Sequence, residues 1–350
     1  MIRIVNWILT RKCNLHCDYC AIVKDYPGKP KEYPDMKHYF ENEISATSIM
    51  NALAKFKTHN PDCFHIFYGG EPMLKKGLVD IIQFCHRHDI HYTIISNNTK
   101  EIQPLVTKLI GQVGYLKGYT ASIDPILVEK TTPFSDRLRK TQQGFEFLKE
   151  MKEHCNDVVA EITVMKEDMH LIQKLVEYLS KHGINSDITF VDISKSDYYD
   201  FSNVKSNVSL VEQSPELADQ FLRMINNDDL DIHMKRNLLP AIFDILPSNM
   251  DCHLEKSLHN VTIDADGSVR LCLRVRGVHT PESVHVSDLL SNEGHINEVA
   301  HKLIIKDKKE YCKLCNHTCL LMSEIIEENL DAFDLVHLDR RIPNARANNS

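Results

Sequence analysis

Between residues 3 and 193 the chain alternates short apolar runs with longer stretches of helical spacing. Runs at 3–9, 64–68, 92–96, 115–123, 158–165 and 188–193 are rich in Ile, Val, Phe, Tyr and Thr and read as six strands. Stretches at 38–56, 75–87, 101–110, 136–153 and 169–182 read as the helices between them. Ile44, Ile49, Leu53 and Phe56 mark the buried stripe of the first, and Gly183 is a C-cap for the last. Strands joined through helices pair in parallel, because only a long crossover brings the next strand back in the same direction. The alternation allows an open doubly wound sheet or a barrel. In both, ligands gather at the C-terminal ends of the strands.

The chemically unusual residues fall at those ends. Cys13, Cys17 and Cys20 follow the first strand in the run Thr10-Arg11-Lys12-Cys13-Asn14-Leu15-His16-Cys17-Asp18-Tyr19-Cys20, a C-x3-C-x2-C spacing. Three thiolates this close can hold three irons of a [4Fe–4S] cube and leave the fourth open to a small molecule, which suits catalysis better than electron storage. The alternative is a zinc knuckle, with His16 completing a closed tetrahedron. Gly69-Gly70-Glu71-Pro72 follows the second strand, where glycines let the backbone come close to a ligand, although the same run also makes an ordinary turn. Ser96-Asn97-Asn98 ends the third strand and Ser122-Ile123-Asp124 the fourth. Short polar side chains there can bind ribose or carboxylate oxygens. Glu161, Thr163 and Met165 alternate along the fifth strand, so they are candidates to line a barrel interior.

The C-x3-C-x2-C motif, with Tyr19 before its third cysteine, resembles the radical S-adenosylmethionine (radical SAM) superfamily. The resemblance implies a partial (β/α)6 TIM-like barrel over residues 1–195. It implies that the open iron chelates S-adenosylmethionine, and that an electron from the cluster releases a 5′-deoxyadenosyl radical, which takes hydrogen from a substrate. It places Tyr19 near the adenine, and the Gly69, Gly70 and Glu71 backbone at the cofactor's amine. Ser96, Asn97, Ser122 and Asp124 complete the implied cofactor or substrate pocket.

Residues 196–250 are rich in Asp, Asn and Ser and read as a connector with helical patches at 216–225 and 238–245. Asp228, Asp229 and Asp231 are a solvated charge run. In 251–335, Cys252 precedes alternating apolar runs that flank Asp266-Gly267 and end at Cys272, a hairpin signal. Cys312, Cys315 and Cys319 follow. These five cysteines resemble the SPASM or Twitch auxiliary-cluster extension, here a small α+β domain. Their number favours one auxiliary [4Fe–4S] cluster on Cys252, Cys272 and two of the other three, the choice among which is open. A zinc ribbon is the alternative. Residues 336–350 read as a polar tail.

Cysteine usage and charge bound the setting. The eleven cysteines lie mainly in clusters and no secretion signal precedes them, so they read as metal ligands of a cytoplasmic protein rather than disulfides. No stretch reaches the ~18 apolar residues of a membrane helix. The net charge of −8 argues against a nucleic-acid partner. Cys63, Cys85 and Cys155 read as core residues, and His86, His88 and His91 as solvated. The expected activity is that of a radical SAM oxidoreductase or maturase acting on a peptide or small molecule, with flavodoxin or ferredoxin as electron donor. The first strand begins near residue 2, which reads as no leader-peptide-binding domain and counts against a peptide maturase acting alone. The alternatives are an RNA- or protein-modifying radical SAM enzyme and a non-catalytic Zn or Fe–S binding module.

Overall fold

The computed structural model describes residues 2, 4–17, 20, 36–128, 136–164, 166–190, 232–233, 260–270 and 285–289. Six strands alternate with helices, as the sequence periodicity predicts. They are β1 (Ile4–Ile8), β2 (Phe64–Tyr68), β3 (His91–Ser96), β4 (Leu116–Ser122), β5 (Cys155–Val164) and β6 (Asn185–Phe190). Neighbours in this series pair in parallel, in chain order. Two residues of the expected connector, β7 (Ile232–His233), add a further parallel strand beside β6. The sheet is open among the described residues, a partial barrel.

Its other edge is set by a distant segment. The predicted hairpin forms as β8 (Asn260–Ile263) and β9 (Val269–Arg270), antiparallel, with Gly267 at φ +83 in the turn. β8 also pairs in parallel with β1, Ile4 against Asn260 through Trp7 against Ile263. The hairpin is therefore part of the main sheet.

The helices between β1 and β6 are α1 (Met36–Glu41), α2 (Ala46–His59), α3 (Leu78–Arg87), α4 (Gln103–Val113), α5 (Asp136–Met151) and α6 (Ile172–Lys181). The single helix expected over 38–56 is two, because Ser45 caps α2 by accepting from the Ser48 amide while the Ile44 amide donates to Ala265 of the hairpin turn, 2.8 Å. β6 starts three residues earlier than expected. Gly183, at φ +62, ends the preceding helix, and the buried Ile184 turns the chain directly into the sheet.

Alternate strand residues, including Val5, Trp7, Phe67, Ile94, Tyr119, Ala160 and Ile162, join one buried core with Leu53 and Phe56 of α2, Ile81 of α3, Val106 of α4, Leu148 of α5 and Leu175 of α6. Trp7 Nε1 donates to Nδ1 of buried His65, 3.0 Å. Burial, with Lys57 and His91 nearby, drives His65 down to a pKa of about 3. Cys63 and Cys85 are buried and Cys155 half-buried, and burial pushes the thiols of Cys63 and Cys155 up to about 12. The histidine expectation needs correcting. His88 is exposed, but His86 bonds Tyr92 Oη at 2.9 Å and stacks on Tyr115, because the α3–β3 junction packs on aromatic rings. No helix among the described residues is long and apolar enough to cross a membrane.

Candidate active site

The chain leaves β1 at Ile8 and passes at once into the cysteine loop. Thr10 and Lys12 are held by the loop after β2, and Arg11 by the hairpin. The Thr10 carbonyl accepts from the Gly70 amide and the Lys12 carbonyl from the Glu71 amide, both at 2.7 Å. The Thr10 hydroxyl donates to Glu43 Oε2, 2.7 Å, and Lys75 Nζ donates to Glu43 Oε1, 2.9 Å, and to the Ile44 carbonyl, 2.6 Å. The Arg11 side chain turns the other way, to Asp264 in the hairpin, with Nε to Oδ1 at 2.9 Å.

The glycines of the second loop are required by this contact. A Cβ on Gly70 would stand 2.2 Å from the Lys12 carbonyl oxygen, and one on Gly69 2.4 Å from that of Thr10. What presses on Gly70 among the described residues is the cysteine loop itself. Glu71 is also an internal anchor. Its carboxylate is 0% exposed and accepts from the Ser96 hydroxyl at 3.0 Å, the Asn97 amide at 2.9 Å and the Met73 amide at 3.1 Å. Burial pushes its pKa up, against those three hydrogen bonds. Glu71 and Ser96 thus fix the ends of β2 and β3 to each other through their side chains.

Asn97 reaches the cysteines. Its amide nitrogen donates to Cys13 Sγ at 3.7 Å and to Asn14 Oδ1 at 2.7 Å, and its oxygen accepts from the Thr99 amide at 3.1 Å. The Leu15 amide also donates to Cys13 Sγ, 3.4 Å. Burial raises the Cys13 pKa, and these two hydrogen bonds pull the other way. Neighbouring Asn98, at φ +54, is buried and donates to the Gly144 carbonyl, 2.7 Å, fastening β3 to α5.

Cys13, Cys17 and Cys20 are half-buried, and none forms a disulfide. The Cys20 amide donates to the Cys17 carbonyl, 3.1 Å. No three His, Cys, Asp or Glu side chains among the described residues converge on a single ion position. A cube spreads its cysteines over different irons, so three half-buried thiols on one loop are a fitting donor set for it. His16 is exposed. At the end of β4, Ser122 is exposed and Asp124 half-buried, and Ser122 lies in register with Glu161 of β5. Tyr19, Cys252, Cys272, Cys312, Cys315 and Cys319 lie outside the described residues, as do the helical patches of the connector.

Sequence reasoning missed Asp264, Glu43 and Lys75. Each is an ordinary charged residue in sequence, and only the partners across the fold mark it out.

Residues 7–179 match the Radical SAM superfamily. Over 221 residues the chain is 23% identical to the radical SAM cyclopropyl synthase TigE of Paramaledivibacter caminithermalis, which covers 57% of this chain and 44% of that protein. It is 25% identical over 189 residues to the Fe-coproporphyrin III synthase of Methanosarcina barkeri, covering 52% and 42%. The chain spans less than half the length of these curated relatives. In structure it resembles Streptococcus suis SuiB bound to precursor peptide SuiA, with a TM-score of 0.58 at 14% identity, over 91% of this chain and 70% of that one. It also resembles anSMEcpe with bound AdoMet and Cp18Cys peptide, with a TM-score of 0.54 at 17% identity, over 90% and 88%. At these identities the structural likeness concerns the fold.

Proposed function

We propose, from the premise that residues 7–179 are a radical SAM domain, that this protein is an enzyme that cleaves S-adenosylmethionine reductively and oxidises a peptide or small molecule. The observation that carries the proposal is the pairing of that domain with a cysteine loop clasped at the C-terminal ends of β1, β2 and β3. Cys13, Cys17 and Cys20 would hold the catalytic cube. When bound, the cube supplies the electron that breaks the sulfonium, and the radical so released takes the substrate hydrogen.

The chain's own residues position and enclose. Glu71 and Ser96 keep the two strand ends at fixed spacing. Asn97 orients the Cys13 sulfur, and hydrogen bonds to a cluster's sulfurs tune its potential. Ser122 and Asp124 remain the side chains for cofactor or substrate at the end of β4, and Tyr19 for the adenine. Cys252 and Cys272 with two of Cys312, Cys315 and Cys319 would hold one auxiliary [4Fe–4S] cluster in a Twitch-like region, as electron acceptor or substrate ligand. The electron donor is a flavodoxin or ferredoxin. A peptide is the favoured substrate class, since both structural relatives above carry peptides in the described complexes.

The test is anaerobic reconstitution followed by S-adenosylmethionine and dithionite. About eight irons per chain and formation of 5′-deoxyadenosine are expected. Tightly bound zinc, or a full iron load with no 5′-deoxyadenosine, overturns the reading. Asp124→Ala should weaken cofactor or substrate binding roughly ten- to a hundred-fold, the value of one charged hydrogen bond.

A further inference from the structure

We infer that Arg11 and Asp264 are a positioning pair through which the C-terminal hairpin holds the catalytic cysteine loop and sets the redox balance of the centre on it. The inference rests on the proposed cluster at Cys13, Cys17 and Cys20.

Arg11 stands two residues before Cys13, while Asp264 lies 253 residues further along the chain. Both are buried, with 2% and 1% of their surface exposed. The guanidinium meets the carboxylate side-on, Nε to Oδ1 at 2.9 Å and a terminal nitrogen to Oδ2 at 2.5 Å. A two-pronged contact of this kind fixes orientation as well as distance. The Tyr39 ring lies against the guanidinium, its centroid 3.7 Å from the guanidinium carbon. The cation therefore has a partner at its edge and an aromatic face against its plane.

Asp264 is rigid enough to serve as a reference point. Its Oδ1 also accepts from the Ala265 amide at 2.7 Å, its amide donates to the Ser268 carbonyl at 2.9 Å, and its carbonyl accepts from Gly267 at 2.8 Å. It directly follows Ile263, which β8 pairs with Trp7 of β1. The Ala265 carbonyl accepts from Ile44, which ties the turn to the start of α2. The hairpin thus offers a carboxylate whose position relative to β1 is already determined.

The geometry has an electrostatic consequence. Arg11 is permanently charged, and with Asp264 the pair is neutral as seen from Cys13. Reducing an iron–sulfur cube adds negative charge to it. Removing the carboxylate charge alone would leave a buried cation on the residue two positions before Cys13 and favour the reduced state. In the sequence Cys272 comes two residues after β9, so Asp264 belongs to the chain segment that carries one of the C-terminal cysteines.

Asp264→Asn keeps the size and the acceptor for Ala265 while removing the charge. The full-length variant is reconstituted anaerobically beside wild type. Thermal melting, iron content, the electron paramagnetic spectrum and a potentiometric titration of the N-terminal centre are measured without S-adenosylmethionine. The expected result is a single cooperative melt below that of wild type, with the midpoint moved to more positive potential, so that at fixed poise the reduced-to-oxidised ratio rises at least about tenfold, some 59 mV for one electron. A single cooperative melt with the N-terminal iron lost also supports a positioning role. Wild-type iron content, spectrum and midpoint in Asp264→Asn overturn the inference. If Asp264→Asn is insoluble, Arg11→Lys decides, because it keeps the charge and loses the fork. An altered spectrum of the reduced centre then supports positioning, and a wild-type spectrum overturns it. Wild-type protein that binds no iron would defeat the cluster assignment itself, an outcome distinct from failure of the pair.

Discussion

The cysteine loop is held from two sides, and the two sides are built from different parts. Toward β2 the clasp is backbone on backbone, Gly70 and Glu71 amides on the Thr10 and Lys12 carbonyls at 2.7 Å. Toward the hairpin it is one ion pair, Arg11 on Asp264. A backbone clasp tolerates changes of side chain but not any side chain on the glycine. An ion pair tolerates small movements but not the loss of one partner. The first therefore leaves a motif in the sequence, and the second leaves two charged residues with nothing local to connect them.

The largest effect that can break this contrast is expected at Gly70. In Gly70→Val a branched side chain replaces a position where even a Cβ stands 2.2 Å from the Lys12 carbonyl oxygen. Backbone cannot swing aside as a side-chain tip can, so the cysteine loop must move. The N-terminal centre should lose most of its iron, with 5′-deoxyadenosine formation lost alongside. A Gly70→Val protein with a full iron load and normal turnover would show that the β2 side is a plain turn.

A smaller effect compares the two sides by stability. Asp264→Ala leaves the Arg11 cation buried without its carboxylate, a loss of about 3–5 kcal/mol. Glu71→Gln keeps a neutral acceptor and the packing, but one amide of the strand-end network then faces an NH2 group, a loss of about 1–3 kcal/mol. Urea unfolding of the two variants measures both. If Glu71→Gln costs more than Asp264→Ala, the strand-end network and not the ion pair dominates the mouth of the sheet.

The smallest effect at neutral pH belongs to neither clasp. His65, on the helix-facing side, is held neutral with a pKa of about 3, whereas an unfolded histidine titrates near 6.5. Between those values the unfolded chain binds a proton that the folded chain does not. This contribution is complete above about pH 6.5 and is lost as pH falls toward 3, at up to about 1.4 kcal/mol per pH unit. Lys57 and His91 lower the His65 pKa further, and burial holds the His91 pKa down too, adding in the same direction. His65→Leu, which gives up the Trp7 acceptor, should have a shallower acid slope in stability measured from pH 7 to pH 4. An unchanged slope would mean that His65 is not the group that titrates.

The strands were legible because parallel, two-sided burial demands continuous β-branched and aromatic runs, and five of the six bounds shift by no more than three residues at either end where β6 shifts by three at both. The break at Ser45 was not legible, since the apolar stripe runs on through 44–56 and the contact of Ile44 with Ala265, which joins the Ser45 cap in interrupting it, is long-range. The Gly69–Glu71 motif was legible as a place but not as a mechanism. Nothing local in the sequence shows that the Glu71 carboxylate accepts from Ser96, Asn97 and Met73.

By itself the sequence determined the strand and helix alternation, the three thiols directly beyond β1, and the glycines that let two loops touch, because each depends on residues near one another in the chain. Only the tertiary structure decided what Gly70 presses against, which donors fill Glu71, and that Asp264 answers Arg11. The last follows from the register of β8 on β1, a long-range strand pairing that no local pattern encodes.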